Sequence, residues 1–241
     1  MVRFILITRP QPAAGKFADD LRARLGENAE IVVAPLLEIE YLPGPEADTA
    51  GLGALVLTSA HAVPAAVRLR PLPCYCVGPA TARAAREAGL SAIDGGGTAA
   101  ALAERIRADA PAGPLLYLRG AHVACDLAKT LSIAGIETHQ AVVYRQNPRP
   151  LAGAATALLH GEAPTILPLF SPRSARLLFA EARPTAPVLI AAISRKVADC
   201  VPPGLTQNLV VAKAPTAGAM LDAVDALWSR ARRVVSGKRA K

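Results

Sequence analysis

The sequence predicts an α/β protein of parallel sheets with helices on both faces, arranged as two similar domains. Three observations carry this. Short apolar runs alternate with helix-length segments along nearly the whole chain, the pattern of strand–helix crossovers that build parallel sheets. Apolar residues make up 52% and aromatic residues only 4%, so the core must be filled by aliphatic side chains and closely packed, alanine-rich helices. The same succession of strand ends also recurs twice. At 241 residues the chain has room for one large or two small α/β domains.

Residues 4–8 form a continuous apolar strand, and Arg9-Pro10 turns it into a helix over 13–25. Phe17, Leu21 and Leu25 repeat at helical spacing on that segment, and Gly26 stops it as a C-cap. A strand at 30–34 follows, then an extended stretch over 35–41 and a Pro/Gly-rich segment at 43–45. The strand at 54–58 ends in Thr58-Ser59 and runs into a helix beginning at His61. A strand at 74–77 ends in Gly78-Pro79-Ala80-Thr81, which starts a helix over 82–88 with Gly89 after it. Residues 92–93 are a short strand, 95–97 a glycine loop, and Thr98 heads a helix over 99–110. The strand at 115–118 ends in Arg119-Gly120 and leads to a helix over 123–134, closed by Gly135. An extended run over 137–144 ends in a polar, proline-containing stretch, 145–150. A helix at 152–160, a strand at 165–170 ending in Ser171, and a helix at 174–182 come next. A strand at 188–193 leads through Ser194 to a short helix ending near Gly204. Residues 208–212 are the last strand, and Thr216 caps the last helix, 217–232.

Charge and composition exclude several classes. Net charge is +8, but six Lys/Arg and no acid fall in residues 230–241, leaving +2 for the rest. The excess is a basic tail, expected to be solvated and flexible rather than a nucleic-acid face, since no aromatic side chains interleave with it. No apolar run approaches the roughly 18 residues of a membrane span. The apolar start is too short for a signal peptide and reads as a first strand, so a cytoplasmic location is expected. Cys74, Cys76, Cys125 and Cys200 match no zinc or redox spacing, and His61, His122, His139 and His160 form no ligand pattern. A metal site is not expected. Buried thiols in a reducing compartment are the simpler reading.

The repeat is visible as matched positions. Arg9 precedes Gly26 by seventeen residues and Arg119 precedes Gly135 by sixteen. Ser59 and Ser171 end equivalent strands, Gly78 and Ser194 start equivalent turns, and Thr98 and Thr216 head equivalent helices. Equivalent strand ends are then expected to face each other across a cleft, where open α/β sheets bind ligands. The repeat by itself equally allows a tandem division near residue 112.

Thr8, Arg9, Thr58, Ser59, Gly78, Thr81, Arg119, Tyr144, Ser171, Ser174, Ser194 and Thr216 collect at the predicted strand ends. Hydroxyls, two arginines and helix N-termini suit a ligand bearing several anions. They lack the carboxylates and histidines of metal or two-carboxylate chemistry. Neither Ser59 nor Ser171 lies in a Gly-x-Ser-x-Gly elbow, and no phosphate-loop glycine motif appears. Ser59, Thr81 and Ser171 are also ordinary helix caps, and capping uses the same N–H groups that bind anions.

Several short motifs, in order, resemble the uroporphyrinogen-III synthase family. They are Ile5-Leu-Ile-Thr-Arg-Pro10, Ala34-Pro-Leu-Leu37, Leu57-Thr-Ser-Ala60, Val77-Gly-Pro-Ala-Thr-Ala82, Val143-Tyr144, Phe170-Ser-Pro172 and Ala214-Pro-Thr216. The resemblance spans residues 4 to about 227. It implies two α/β domains joined by a two-stranded hinge, with the active site in the interdomain cleft. Domain one would be 1–36 plus 149–241, including the tail 230–241; domain two, inserted, would be 43–140. Stretches 36–42 and 140–148 would be the hinge strands. The family closes the linear tetrapyrrole hydroxymethylbilane to uroporphyrinogen III, losing water and inverting ring D, without a cofactor. That is a step of porphyrin and heme biosynthesis.

The substrate's four acetates and four propionates explain the anion-binding residues. The resemblance implies substrate contacts at Arg9, Pro10, Ser59, Ala60, Gly78, Thr81, Arg119, Ser171, Pro172, Ser174, Ser194 and Thr216. It implies that Tyr144 assists departure of the hydroxyl. Ser194-Arg195-Lys196 departs from the family's glycine turn, and Arg195 or Lys196 could replace it as charge partners. A monomer is expected, with substrate handed over by hydroxymethylbilane synthase and neither membrane nor nucleic acid as partner. The alternative is a non-catalytic two-domain binding or sensor protein for an anionic, tetrapyrrole-like ligand.

Overall fold

The computed structural model describes residues 4–45, 50–69, 71–123 and 126–238, with side chains to residue 231. Cys125 and the end of the basic tail, 239–241, lie outside the described residues. In chain order the elements are β1 (Phe4–Ile7), α1 (Ala13–Leu25), β2 (Glu30–Val33), β3 (Leu37–Tyr41), β4 (Ala54–Leu57), α2 (Val63–Ala66), β5 (Cys74–Cys76), α3 (Pro79–Glu87), β6 (Ala92–Asp94) and α4 (Ala99–Asp109). They continue with β7 (Leu115–Gly120), α5 (Leu127–Ile133), β8 (Thr138–Pro148), α6 (Gly153–His160), β9 (Thr165–Leu169), α7 (Pro172–Glu181), β10 (Val188–Ala192), α8 (Arg195–Ala198), β11 (Leu209–Val211) and α9 (Ala217–Lys238).

The chain divides into two compact units, one of residues 1–38 and 147–241, the other of 39–146. In the first unit a five-stranded sheet runs β11-β10-β9-β1-β2, and each of its strand pairs is parallel. One face packs Leu6, Leu167, Leu169 and Ile190 against α6, α7 and α8. The other packs Ile5, Ile7 and Ile166 against α1 and α9. Strands buried on both faces read as unbroken apolar runs because neither face meets water. That is why Ile5-Leu6-Ile7 shows no alternation.

The second unit holds a six-stranded sheet, β3-β8-β7-β4-β5-β6. Leu55, Leu57, Cys74, Cys76 and Leu118 pack on one face with α2 and α3. Val56, Tyr75, Leu115 and Tyr117 pack on the other with α4 and α5. Setting aside β3, the two sheets have one strand order: β8-β7-β4-β5-β6 matches β2-β1-β9-β10-β11.

This equivalence crosses the sequence repeat. Arg9 comes from the first copy, but its strand β1 pairs with β9 of the second copy, Ile5 beside Ile166. Conversely β7, which ends in Arg119, pairs with β4 of the first copy, Leu57 beside Leu118. Each unit therefore combines the arginine strand of one copy with the Ser, Gly/Ser and Thr elements of the other. One asymmetry has a simple cause. The β4–β7 register runs over four pairs, whereas β1 and β9 register only at Phe4–Thr165 and Ile5–Ile166. Pro168 follows in β9 and has no N–H to donate to a ladder.

Several elements differ from the sequence reading. The helix after Ser59 is broken into a 3₁₀ turn at Ala60–Ala62, the single α turn α2, and a second 3₁₀ turn at Val67–Leu69. Pro64 lies in that turn and lacks the N–H a regular helix would use. Helix α5 starts at Leu127, where the Asp126 carboxylate accepts from the Lys129 N–H at 3.0 Å. The segment 138–148 is a single strand, its polar end included, because it lies beside β3. Helix α9 continues to Lys238 rather than ending at 232. Arg and Lys are good helix formers, and they suit the negative end of a helix dipole.

Candidate functional site

Within each sheet the paired strands named above run parallel, so their C-terminal ends share one edge. In the first unit that edge carries Arg9, Ser171 and Ser194; in the second it carries Ser59, Gly78 and Arg119. A shallow cavity of about 360 Å³ lined by Ile106, Ala110, Pro114 and Ile136 lies at the opposite end of the second sheet. It includes none of the candidate residues.

In the second unit Tyr144 is the centre of a cluster. It is 6% exposed and in register with Gly120, just past an irregularity between Arg119 and Gly120. Its ring occupies the space a Gly120 side chain would need: an ideal Cβ there would fall 2.6 Å from Cζ and 2.8 Å from the hydroxyl oxygen. The imidazole of His61 lies beside it, ring centroids 5.5 Å apart. Burial pushes the phenol above its ordinary pKa, a hydrogen bond with Ser59 pulls it down, and Tyr41 nearby raises it. Ser59 thus does more than begin a helix. Its Oγ accepts weakly from the His61 N–H at 3.3 Å and also draws the phenol pKa down. Ala60, the next residue, is exposed.

Other groups at this edge are held by neighbours. Thr58 Oγ1 lies 2.9 Å from the buried Tyr117 hydroxyl. Arg119 donates to Gln140 Oε1 at 2.8 Å and to the Gly120 carbonyl at 3.0 Å, both neutral acceptors, so it is not an ion-pair partner within the described residues. Gly78 begins α3 in an extended conformation that any residue can adopt. What favours glycine there is packing, because a Cβ would sit a tight 3.1 Å from Gly97 Cα. Gly97 itself has φ +89° and donates to the Val77 carbonyl. Thr81 is buried in the first turn of α3, and the Thr98 hydroxyl caps α4.

In the first unit Ser171 caps α7. Its Oγ accepts from the Ser174 N–H at 3.0 Å and donates to the buried Ser174 hydroxyl at 2.9 Å, with Pro172 at the first helical position. Arg9 and Pro10, partly buried, follow β1. The Arg9 guanidinium carbon lies 4.0 Å from the ring centre of Phe170. Thr216 caps α9, its hydroxyl accepting from the Ala219 N–H at 3.2 Å. Ser194 makes no side-chain cap, α8 is a single turn, and Arg195 is tied to Asp199 at 3.0 Å. The altered turn therefore has its arginine occupied, leaving the exposed Lys196 as the nearby cation.

Sequence reasoning missed Gly120, His61 and Phe170 as parts of the site. Phe170 opens one of the motifs and Gly120 follows Arg119, but only long-range pairing shows what they touch.

A chain with two sheets that share one order of five parallel strands, both faces covered by helices, and with hydroxyls, arginines and a buried tyrosine at the strand ends, is a two-unit α/β protein. The family model "HEM4: Uroporphyrinogen-III synthase HemD" matches residues 17–222. The chain belongs to the uroporphyrinogen-III synthase family, enzymes of tetrapyrrole biosynthesis. Among solved structures, a uroporphyrinogen-III synthetase from Helicobacter pylori is similar at 20% identity and TM-score 0.67, covering 94% of this chain and 100% of that one. A mutant uroporphyrinogen III synthase from the extremely thermophilic bacterium Thermus thermophilus is similar at 20% identity and TM-score 0.56, with 95% and 100% covered. These likenesses concern the fold. No curated protein matches the sequence.

Proposed function

We propose that this chain closes hydroxymethylbilane to uroporphyrinogen III, with Tyr144 as the proton donor and the strand-end turns of both units as carboxylate-binding groups. The observation that carries the assignment of roles is the buried Tyr144 phenol, packed against the bare backbone of Gly120 and beside the His61 ring. Loss of the bilane hydroxyl as water needs a proton and leaves a cationic azafulvene. A neutral phenol can supply that proton, and the proton released when the closed ring regains its aromaticity restores it. Burial favours the neutral, donating form at ordinary pH.

Unassisted closure gives the type I isomer, so the remaining task is to fold the substrate until attack occurs at the substituted position of ring D. That is a positioning task. Arg9, Arg119 and the N-terminal turns of α3, α7 and α9, headed by Gly78, Ser171 and Thr216, supply donors for acetates and propionates. Ser194 contributes backbone only in this reading, with Lys196 as its cation.

The chain would work as a monomer in the cytoplasm, taking substrate from hydroxymethylbilane synthase without nucleic acid. The buried, unpaired thiols of Cys74 and Cys76, raised by burial to about 12 and about 11, suit a reducing compartment. Among the described residues no helix is long and apolar enough to cross a membrane. The deciding experiment supplies fresh hydroxymethylbilane, oxidises the product and separates type I from type III porphyrin. Type III rising with protein concentration is expected. Type I alone at every concentration would overturn the assignment and favour a binding or sensor protein.

A further inference from the structure

Arg9 differs from many arginines of the described residues. Seven others, Arg22 and Arg24 on α1 among them, lie within ion-pair distance of a carboxylate. Arg9 has no carboxylate partner within the described residues. Its guanidinium instead lies over the Phe170 ring, 4.0 Å from the centroid. Phe170 is braced edge-on by Phe17, with ring centroids 4.8 Å apart and planes at 83°. Phe17 is 1% exposed in the core of α1. Burial also pushes the Arg9 pKa down, as expected of a cation withdrawn from water without a counter-ion.

Such an arrangement is costly unless an anion completes it. A guanidinium stacked on a ring keeps its N–H edge in plane, free to fork a carboxylate in two parallel hydrogen bonds. Phe170 is also one peptide bond from Ser171, the cap of α7, so cation, ring and helix start form one corner of the first unit.

We infer that Phe170 is a positioning residue for carboxylate recognition. Its ring, held by Phe17, fixes the Arg9 guanidinium so that its N–H edge meets an acetate or propionate of the substrate. Phe170 acts through Arg9 and does not itself touch the carboxylate. The inference rests on the reading of Arg9 as a substrate-binding group.

The test is a double-mutant cycle read as KM and kcat on hydroxymethylbilane, with folding checked by circular dichroism and thermal melting. Arg9→Met keeps the apolar stem and removes the fork; KM should rise roughly tenfold or more. Phe170→Leu should raise KM about two- to fivefold with kcat nearly unchanged, the size of a lost cation–π contact. Phe170→Tyr retains the ring face and should keep the parent KM. In the double variant Phe170→Leu should add nothing to Arg9→Met. If Phe170→Leu unfolds the chain, Phe170→Met takes its place with the same expected KM. An Arg9→Met effect without a Phe170 effect, or two effects that simply multiply, overturns the positioning role while the Arg9 reading stands. An unchanged KM in Arg9→Met overturns both.

Discussion

The Tyr144 ring lies against the bare backbone of Gly120, with three of its atoms inside 2.9 Å of where a Cβ would stand. Gly120 φ is not in the left-handed region, so glycine is required there by the approach of the phenol and not by the backbone. The two residues are register partners on β7 and β8, which makes the contact a property of the sheet.

Gly120→Ala should therefore move the phenol without unfolding the unit. A displacement of about 1 Å at a reacting group can cost on the order of a hundredfold. We expect kcat to fall ten- to a hundredfold with KM changed little, measured by steady-state kinetics on a variant whose melting temperature stays close to the parent's. Full turnover in Gly120→Ala would remove the contact from the mechanism.

Tyr144→Phe keeps the ring and deletes the proton. Turnover should fall about a hundredfold or more, and affinity much less. The pH dependence follows from the sign of the shift. Burial, the larger influence, raises the phenol above its ordinary value of about 10, so the donating form persists through neutral pH. Activity that depends on it should decline only in the alkaline range. The folded state, which favours the neutral phenol, should lose that contribution as pH rises past the ordinary value and through the raised one. Tyr144→Phe should lack this alkaline loss in urea titrations at pH 9 and 11.

Ser59 and Ser171 occupy equivalent places but have different partners. Ser171 serves α7 by accepting from the Ser174 N–H with its Oγ, and Ser59 serves both the 3₁₀ turn and, by drawing its pKa down, the Tyr144 phenol. Ser171→Ala should cost about 1 kcal/mol of stability. Ser59→Ala should lower kcat more than stability and raise the phenol pKa further, since the Ser59 bond holds it down. Equal effects of the two substitutions on kcat would count against the separate roles.

Removing residues 233–241 takes away a basic segment and keeps the described buried contacts of α9, which Met220, Val224, Leu227 and Trp228 make earlier in the helix. Ring closure should proceed at the parent rate, with melting shifted by no more than a few degrees. A large loss of turnover would give the basic segment a part in the reaction.

Much of the fold was legible because its signals are local. Apolar runs such as residues 54–57, helix stops such as Gly26 at φ +71°, and caps such as Thr98 and Thr216 act within one or two turns of chain. The repeat of Arg, Ser, Gly/Ser and Thr positions was legible for the same reason. The break in the helix after Ser59 has a local cause in Pro64. Composition alone makes 145–148 a polar stretch, and only the family resemblance put a strand over 140–148, because a polar segment becomes a strand only when a neighbour accepts its hydrogen bonds.

The order of strands, helices and strand-end residues was set by the sequence alone, through periodicity and capping. Which strand lies beside which was decided by the tertiary structure. β1 pairs on one side with β2, the next strand of its own copy, and on the other with β9 about 160 residues away, since parallel partners are chosen by how apolar faces are buried across the whole sheet. That exchange puts Arg9 on Phe170, while the pairing of β8 with β7 puts Tyr144 over Gly120. No local signal could have announced either contact, because each joins residues that meet only after both strands have found their places.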